Sequence, residues 1–209
     1  MAKVHSLARP LSSFQLRPES GPESLRTLPR GAITEVLGEP STGRTALAHS
    51  LLATATKGGE IAALVDCDDA FDPASSRKAG TDLGKLLWVQ CGHRLESALK
   101  AADLILHNGG FGLIILDLCD TAPAALQRVP TSYWYRFQRA VENTPTIFLI
   151  LARQPVARSS SARQLSLQQQ RLRWRGHPPF QTIERLELEA ISRKPVNLSP
   201  VRMEALVEA

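Results

Sequence analysis

The chain has few of the residues that build several common kinds of site. Of its 209 residues three are cysteine, Cys67, Cys91 and Cys119, odd in number and without a C-x-x-C pair. That excludes a disulfide framework and points to a reducing compartment. The five histidines, His5, His49, His93, His107 and His177, are scattered with no ligand spacing, which argues against a metal centre of imidazole and thiolate. No run of about 18 apolar residues could cross a bilayer, and MAKVHSLARPLSSF contains no apolar signal-like core. The expectation is a soluble, cytoplasmic protein with no membrane partner. A net charge of +5 falls well short of ribosomal or histone-like density; it favours anionic partners without naming one.

What is present is the balance of a globular α/β domain, with 43% hydrophobic and 22% charged residues. Residues 1–27, rich in Pro, Ser and Arg, read as a flexible arm, and 28–209 as the core domain. From Leu28 short apolar runs alternate with helical stretches. Strands are expected at Ile33–Leu37, Ile61–Val65, Leu86–Gln90, Phe111–Leu118 and Thr146–Ala152. Helices are expected at Thr45–Lys57, near Ser75–Lys78, at Leu95–Leu106 and at Tyr133–Glu142. The alternation implies a mainly parallel sheet with helices on both faces. Residues 156–180, VARSSSARQLSLQQQRLRWRGHPPF, break the pattern and read as a mobile Arg/Gln-rich loop with one helix near Leu165–Trp174. Thr182–Ile191 and Val201–Val207 alternate apolar and polar residues and read as closing antiparallel strands.

The segment GEPSTGRT, Gly38 to Thr45, follows an expected strand and opens an expected helix. It matches the phosphate-loop pattern G-x-x-x-x-G-K-[ST] except that Arg44 replaces the lysine. Backbone N–H groups of such a turn converge on phosphates, Gly38 and Gly43 permit close approach, and Thr45 can ligate Mg²⁺ through its hydroxyl. Asp117, ending the buried run GLIILD, has the form of the acid that holds the Mg²⁺ shell, although strand-end aspartates also serve as helix caps. The nucleotide-binding set is therefore Gly38, Glu39, Pro40, Ser41, Thr42, Gly43, Arg44 and Thr45, with Thr45 and Asp117 at the metal.

These residues sit in a longer likeness. LPRG at 28–31, ITEV at 33–36, GEPSTGRTALA, and VDCDDAFDPASSRKAGTDLGKLLWVQ at 65–90 resemble the ATPase core of RecA, the bacterial strand-exchange recombinase, and the spacing to Asp117 matches without gaps. The resemblance is convincing over 28–120, extends to TIFLILARQP, and fades beyond. It implies a RecA-like P-loop NTPase core with ATP/ADP and Mg²⁺ as cofactors. It aligns Asp68 with the water-positioning glutamate and Ser75 with the adenine-stacking tyrosine, keeps Asp72, and places Ala152 and Arg153 where an Asn-Gln pair senses the γ-phosphate. Arg44 carries a planar fork where a compact ammonium belongs, and the Asp68 carboxylate would sit one methylene further from the water.

Such losses resemble those of the ImuA family, RecA-like accessory proteins of translesion synthesis and mutagenesis in the bacterial DNA damage response. This implies an ImuB-like Y-family polymerase relative as partner, with RecA and single-stranded DNA as further partners and at most slow ATP turnover. Two alternatives stay open: an active DNA-dependent ATPase or recombinase of RecA type, and a cell-division inhibitor resembling SulA. Arg158, Arg163, Arg171, Arg173 and Arg175 form the candidate DNA or partner surface, a solvated loop being the plainer reading. Trp134, Phe137 and Val141 fall at i, i+3 and i+7, which favours a core stripe over base stacking.

Overall fold

In the computed structural model residues 14–18, 28–175, 182–195 and 200–207 are described. Among them nine strands form one sheet in the order β1-β9-β8-β7-β2-β6-β5-β3-β4. The strands are β1 (Phe14–Pro18), β2 (Ala32–Leu37), β3 (Ala62–Asp66), β4 (Leu86–Gln90), β5 (Leu113–Asp117), β6 (Ile147–Ala152), β7 (Ser161–Arg175), β8 (Thr182–Lys194) and β9 (Val201–Val207). From β7 through β2, β6, β5 and β3 to β4 every pairing is parallel. The pairs β7–β8, β8–β9 and β1–β9 are antiparallel.

Strands β2, β3, β5 and β6 are short, mostly apolar and almost wholly buried because helices cover both faces, whereas the edge strand β4 is only partly buried. Helices α1 (Arg44–Lys57) and α2 (Pro73–Lys78) lie toward the beginning of the chain; α3 (Leu95–Asn108), α4 (Pro123–Gln127) and α5 (Thr131–Val141) follow. Leu47 and Leu52 of α1 pack with Val36, Leu64, Ile115 and Leu151 on one face. Ala98 and Ala102 of α3 and Trp134, Phe137 and Val141 of α5 pack with Ile33, Ile114 and Phe148 on the other. Period two along each strand divides alternate residues between these two cores. The aromatic stripe of α5 is thus core: the Phe137 ring meets Trp134 and Phe148 edge-on, each at 5.8 Å between centroids. Among the described residues no helix is long and apolar enough to cross a membrane.

Two expectations are corrected. The helix near Leu165–Trp174 and the described part of the loop around it give way to β7 over Ser161–Arg175, while 176–180 lie outside the described residues. Gln and Arg favour helices weakly, but Leu165 and Leu167 alternate into the core and the backbone pairs with β2 and β8, so sheet context wins. Part of the expected flexible arm, Phe14–Pro18, is strand β1 against β9; the rest of 1–27 lies outside the described residues. The link after β5 holds the short helix α4, opened by Pro123, whose missing N–H costs nothing at a helix start.

Candidate functional site

Parallel topology brings the loops after β2, β3, β5 and β6 to one edge of the sheet, where ligands of such folds bind. The loop Gly38–Gly43 is tied to β6 by Gly38 N–H donating to the Ala152 carbonyl at 3.3 Å. It is closed on itself by Thr42, whose backbone N–H and hydroxyl both donate to the Glu39 carbonyl, at 3.3 and 2.8 Å. Ser41 (φ 64°) and Gly43 (φ 83°) adopt left-handed backbone. A Cβ on Gly38 would lie 2.4 Å from the Thr42 hydroxyl oxygen, and one on Gly43 2.3 Å from Leu188 Cδ1 of β8. Glu39, Pro40, Ser41 and Thr45 face solvent.

Arg44 does not. It is 6% exposed, and its Nη1 has no hydrogen-bond partner among the described residues. Its charge acts on Asp117 and Cys119 at the end of β5. Burial pushes the Asp117 carboxyl up to about 6; hydrogen bonds from Cys119 and the Arg44 charge oppose the shift, and Asp66 adds to it. Asp117 accepts the Cys119 N–H at 2.9 Å. Asp66 is architectural: it accepts Ala70 N–H and Phe71 N–H, each at 3.0 Å, and the Trp88 indole N–H at 3.2 Å.

Asp68 is committed to the loop after β5. It accepts the Asp120 N–H at 3.0 Å and the Thr121 hydroxyl at 3.1 Å, and burial raises its pKa. The same loop is held from the other side by Arg153, which donates through Nε to the Cys119 carbonyl at 3.0 Å and through Nη2 to Asp120 at 3.3 Å. Asp72 caps α2, accepting Ala74 N–H and Ser75 N–H, each at 3.1 Å, and the Ser75 hydroxyl; that hydroxyl holds its carboxyl below the usual range. Ser75 is buried.

The arginine set is not brought together. Arg163 is 7% exposed, whereas Arg158 and Arg171 are exposed. Arg173 donates to Glu187 at 3.2 Å. Arg175 ends β7, and its side chain lies outside the described residues. At about 3.3 Å per residue, Arg163 and Arg173 are roughly 30 Å apart.

One residue missed in the sequence is Glu35, fully buried in the middle of β2. It accepts Val156 N–H, Ala157 N–H and the Gln164 amide, each at 2.7 Å, and so anchors the connection from β6 to β7. A lone glutamate in AITEVL was the signal.

The glycine cradle fits a phosphate, with the Thr45 hydroxyl and Asp117 as the oxygen donors a magnesium ion would use; Arg44, buried with its Nη1 unpartnered among the described residues, adds positive charge from within the fold and not at the loop's surface. Among the described residues no three His, Cys, Asp or Glu side chains converge as a metal site on their own.

Compared with known proteins, the RecA N-terminal domain family matches residues 22–127. Over 90 residues the chain is 43% identical to protein RecA of Chlorobaculum tepidum, covering 43% of this chain and 26% of that protein. To protein RecA of Thermus aquaticus it is 40% identical over 90 residues, with the same two shares, 43% and 26%. To that of Bifidobacterium breve it is 40% identical over 90 residues, 43% of this chain and 23% of the other. The match thus spans about a quarter of the length of these curated relatives.

Proposed function

The chain belongs to the RecA N-terminal domain family, and from that premise we propose that it is an accessory protein of the bacterial DNA damage response, ImuA-like, with weak nucleotide binding and at most slow ATP turnover. In this reading the backbone of Gly38 to Thr45 receives the phosphates of ATP or ADP. Thr45 and Asp117 take the magnesium ion, which supplies charge neutralisation at the phosphates when bound. Asp72, the cap of α2, belongs to the nucleotide set by its match to the RecA pattern. Asp68 is the residue in place to orient an attacking water.

The observation that carries the weak-turnover reading is the engagement of Asp68. Its carboxylate is tethered to the loop after β5 by Asp120 N–H and the Thr121 hydroxyl, so moving it toward an attacking water would mean breaking bonds to charged oxygen, each worth about 1.5–3 kcal/mol. The inward Arg44 points the same way. A guanidinium held in the interior cannot also reach the outer phosphates as a compact lysine ammonium does.

The accessory role places protein partners, an ImuB-like Y-family polymerase relative and RecA, beside single-stranded DNA. For DNA the exposed Arg158 and Arg171 are the available members of the arginine set, and phosphate contacts by them imply weak, salt-sensitive binding. Titration of fluorescent ATP with Mg²⁺, followed by a hydrolysis assay with and without single-stranded DNA, tests the proposal. Weak binding with little hydrolysis supports it. Micromolar affinity with rapid DNA-stimulated turnover would overturn it in favour of an active recombinase-type ATPase.

A further inference from the structure

A cavity of about 200 Å³ opens between α4, the start of α5 and the connection from β6 to β7. Leu126, Trp134 and Val156, each more than nine-tenths buried, give it an apolar floor within a lining that is otherwise mostly polar. Arg153, Gln154 and Arg158 stand at its rim, and no lining residue is acidic. A dry cavity of roughly 150 Å³ holds a benzene molecule, so this one is the right size for a single leucine or phenylalanine side chain. It is too small for a drug-sized ligand, whose pockets run from about 300 Å³ upward.

The walls are held rigidly. Glu35, reaching out of the core of β2, accepts the N–H groups of Val156 and Ala157. The next residue, Arg158, is forced into left-handed backbone at φ 47°. Such strain in a long side chain persists only where the surroundings over-determine it. The Arg158 guanidinium makes no hydrogen bond or ion pair with any described residue, whereas Arg153 is fixed in place by Cys119 and Asp120. The rim therefore offers one free and one pre-positioned guanidinium above an apolar floor.

We propose that this pocket binds a peptide segment of a partner protein through one buried leucine- or phenylalanine-sized side chain flanked by aspartate or glutamate. The apolar anchor fills the space over Trp134 and Leu126, and the flanking carboxylates pair with Arg153 and Arg158, a geometry that suits bidentate guanidinium contacts. Single-stranded nucleic acid fits less well. Sequence-tolerant binding of bases uses exposed aromatic faces, and Trp134 is 2% exposed with its ring edge-on to Phe137. The site extends the accessory reading above by giving the partner a chemistry. It requires no nucleotide, so the ATP titration and the experiment below can fail independently.

The test is selection of a random twelve-residue phage-displayed peptide library on the full chain, with depletion on Arg158→Glu. Arg158 is exposed, and this change leaves the fold intact, which circular dichroism verifies. The expected outcome is enrichment of peptides with Leu, Ile or Phe between acidic residues. In fluorescence anisotropy these bind the wild type at least tenfold more tightly than Arg158→Glu, and they lose at least tenfold when the anchor is changed to Ser. Failure to enrich such peptides, equal binding to Arg158→Glu, or displacement of the peptide by an equimolar twelve-nucleotide oligo-dT would each overturn the proposal.

Discussion

Gly43 of the phosphate loop and Leu188 of β8 are in such close contact that a Cβ on the glycine would lie 2.3 Å from Leu188 Cδ1. The antiparallel strand is thereby the outer wall of the loop. Leu188 is 1% exposed, so it has little room to move aside. Gly43→Ala should destabilise by roughly 2 kcal/mol or more, from left-handed backbone strain and overpacking. Leu188→Ala should cost about 2–5 kcal/mol through the cavity it leaves. Since the trimmed side chain makes room for the new methyl, the double variant should cost about 1 kcal/mol less than the sum. Urea denaturation of the four proteins checks this; strict additivity would mean that the two residues do not share the space.

Glu35 gives the second prediction. Replacing it with Ala strands the Val156 and Ala157 N–H groups inside the protein and leaves the Gln164 amide only its bond to the Ser161 hydroxyl. At about 1–3 kcal/mol for each unpaired buried group, partly relieved by relaxation, the expected loss is on the order of 3–5 kcal/mol. Hydrogen exchange should show the loss concentrated in faster exchange of Val156 and Ala157. A uniform change across the sheet would contradict the anchoring role.

The Asp117 carboxyl is pushed by burial from 3.8 up to about 6. An acid whose pKa is higher in the fold than in the unfolded chain keeps its proton longer when folded, so its contribution to stability is fully present below 3.8 and is lost as pH rises through about 6. Asp117→Asn has no such titration. Between pH values of about 4 and 7 the wild type should therefore lose on the order of 3 kcal/mol relative to the variant, at 1.36 kcal/mol per unit. Denaturation curves in EDTA without nucleotide measure it, and a constant difference across that range would contradict a desolvated, proton-holding Asp117.

Burial likewise pushes the Cys67 thiol up to about 11 and raises Cys91 and Cys119. The thiolate is the reactive form. With the native protein at a pH of about 8, a disulfide reagent such as DTNB should titrate less than one thiol quickly, and all three after unfolding in guanidinium. A rapid native reaction at Cys67 or Cys91 would contradict their burial.

The parallel half of the fold was legible because its signals are local. GLIILD declares a strand buried on both faces, and Trp134, Phe137 and Val141 mark one helical stripe. The RecA-like loop was legible because its glycines need backbone freedom at fixed spacing. β7 was not. Its Gln and Arg residues suit a helix locally, and the pairing that overrides them links Leu37 to Ser166 across most of the chain. Glu35 was unreadable as an anchor for the same reason, since its partners lie 121 to 129 positions away. At the site, chain position located Arg44, Asp68 and Asp72 but not what each side chain is bonded to.

Arg44 is where the phosphate loop departs from its pattern, and substitution there separates a nucleotide role from a structural one. As a buried cation whose Nη1 lacks a partner among the described residues, it costs the fold something that only a nearby negative charge offsets. The charge it already influences is Asp117. Arg44→Ala should therefore raise the Asp117 pKa further and leave the weak ATP binding within about threefold of the wild type, with stability at neutral pH unchanged or slightly higher. Arg44→Lys supplies the compact ammonium that fits among the phosphates, and it should strengthen ATP binding about tenfold, or roughly 1.4 kcal/mol. Hydrolysis should stay slow in both variants, because Asp68 remains bonded to Asp120 and Thr121. Calorimetric titration of the three proteins with ATP and Mg²⁺ decides the matter. If Arg44→Lys binds more weakly than the wild type, the arginine is itself the phosphate ligand, and the loop is an adapted site instead of a weakened one.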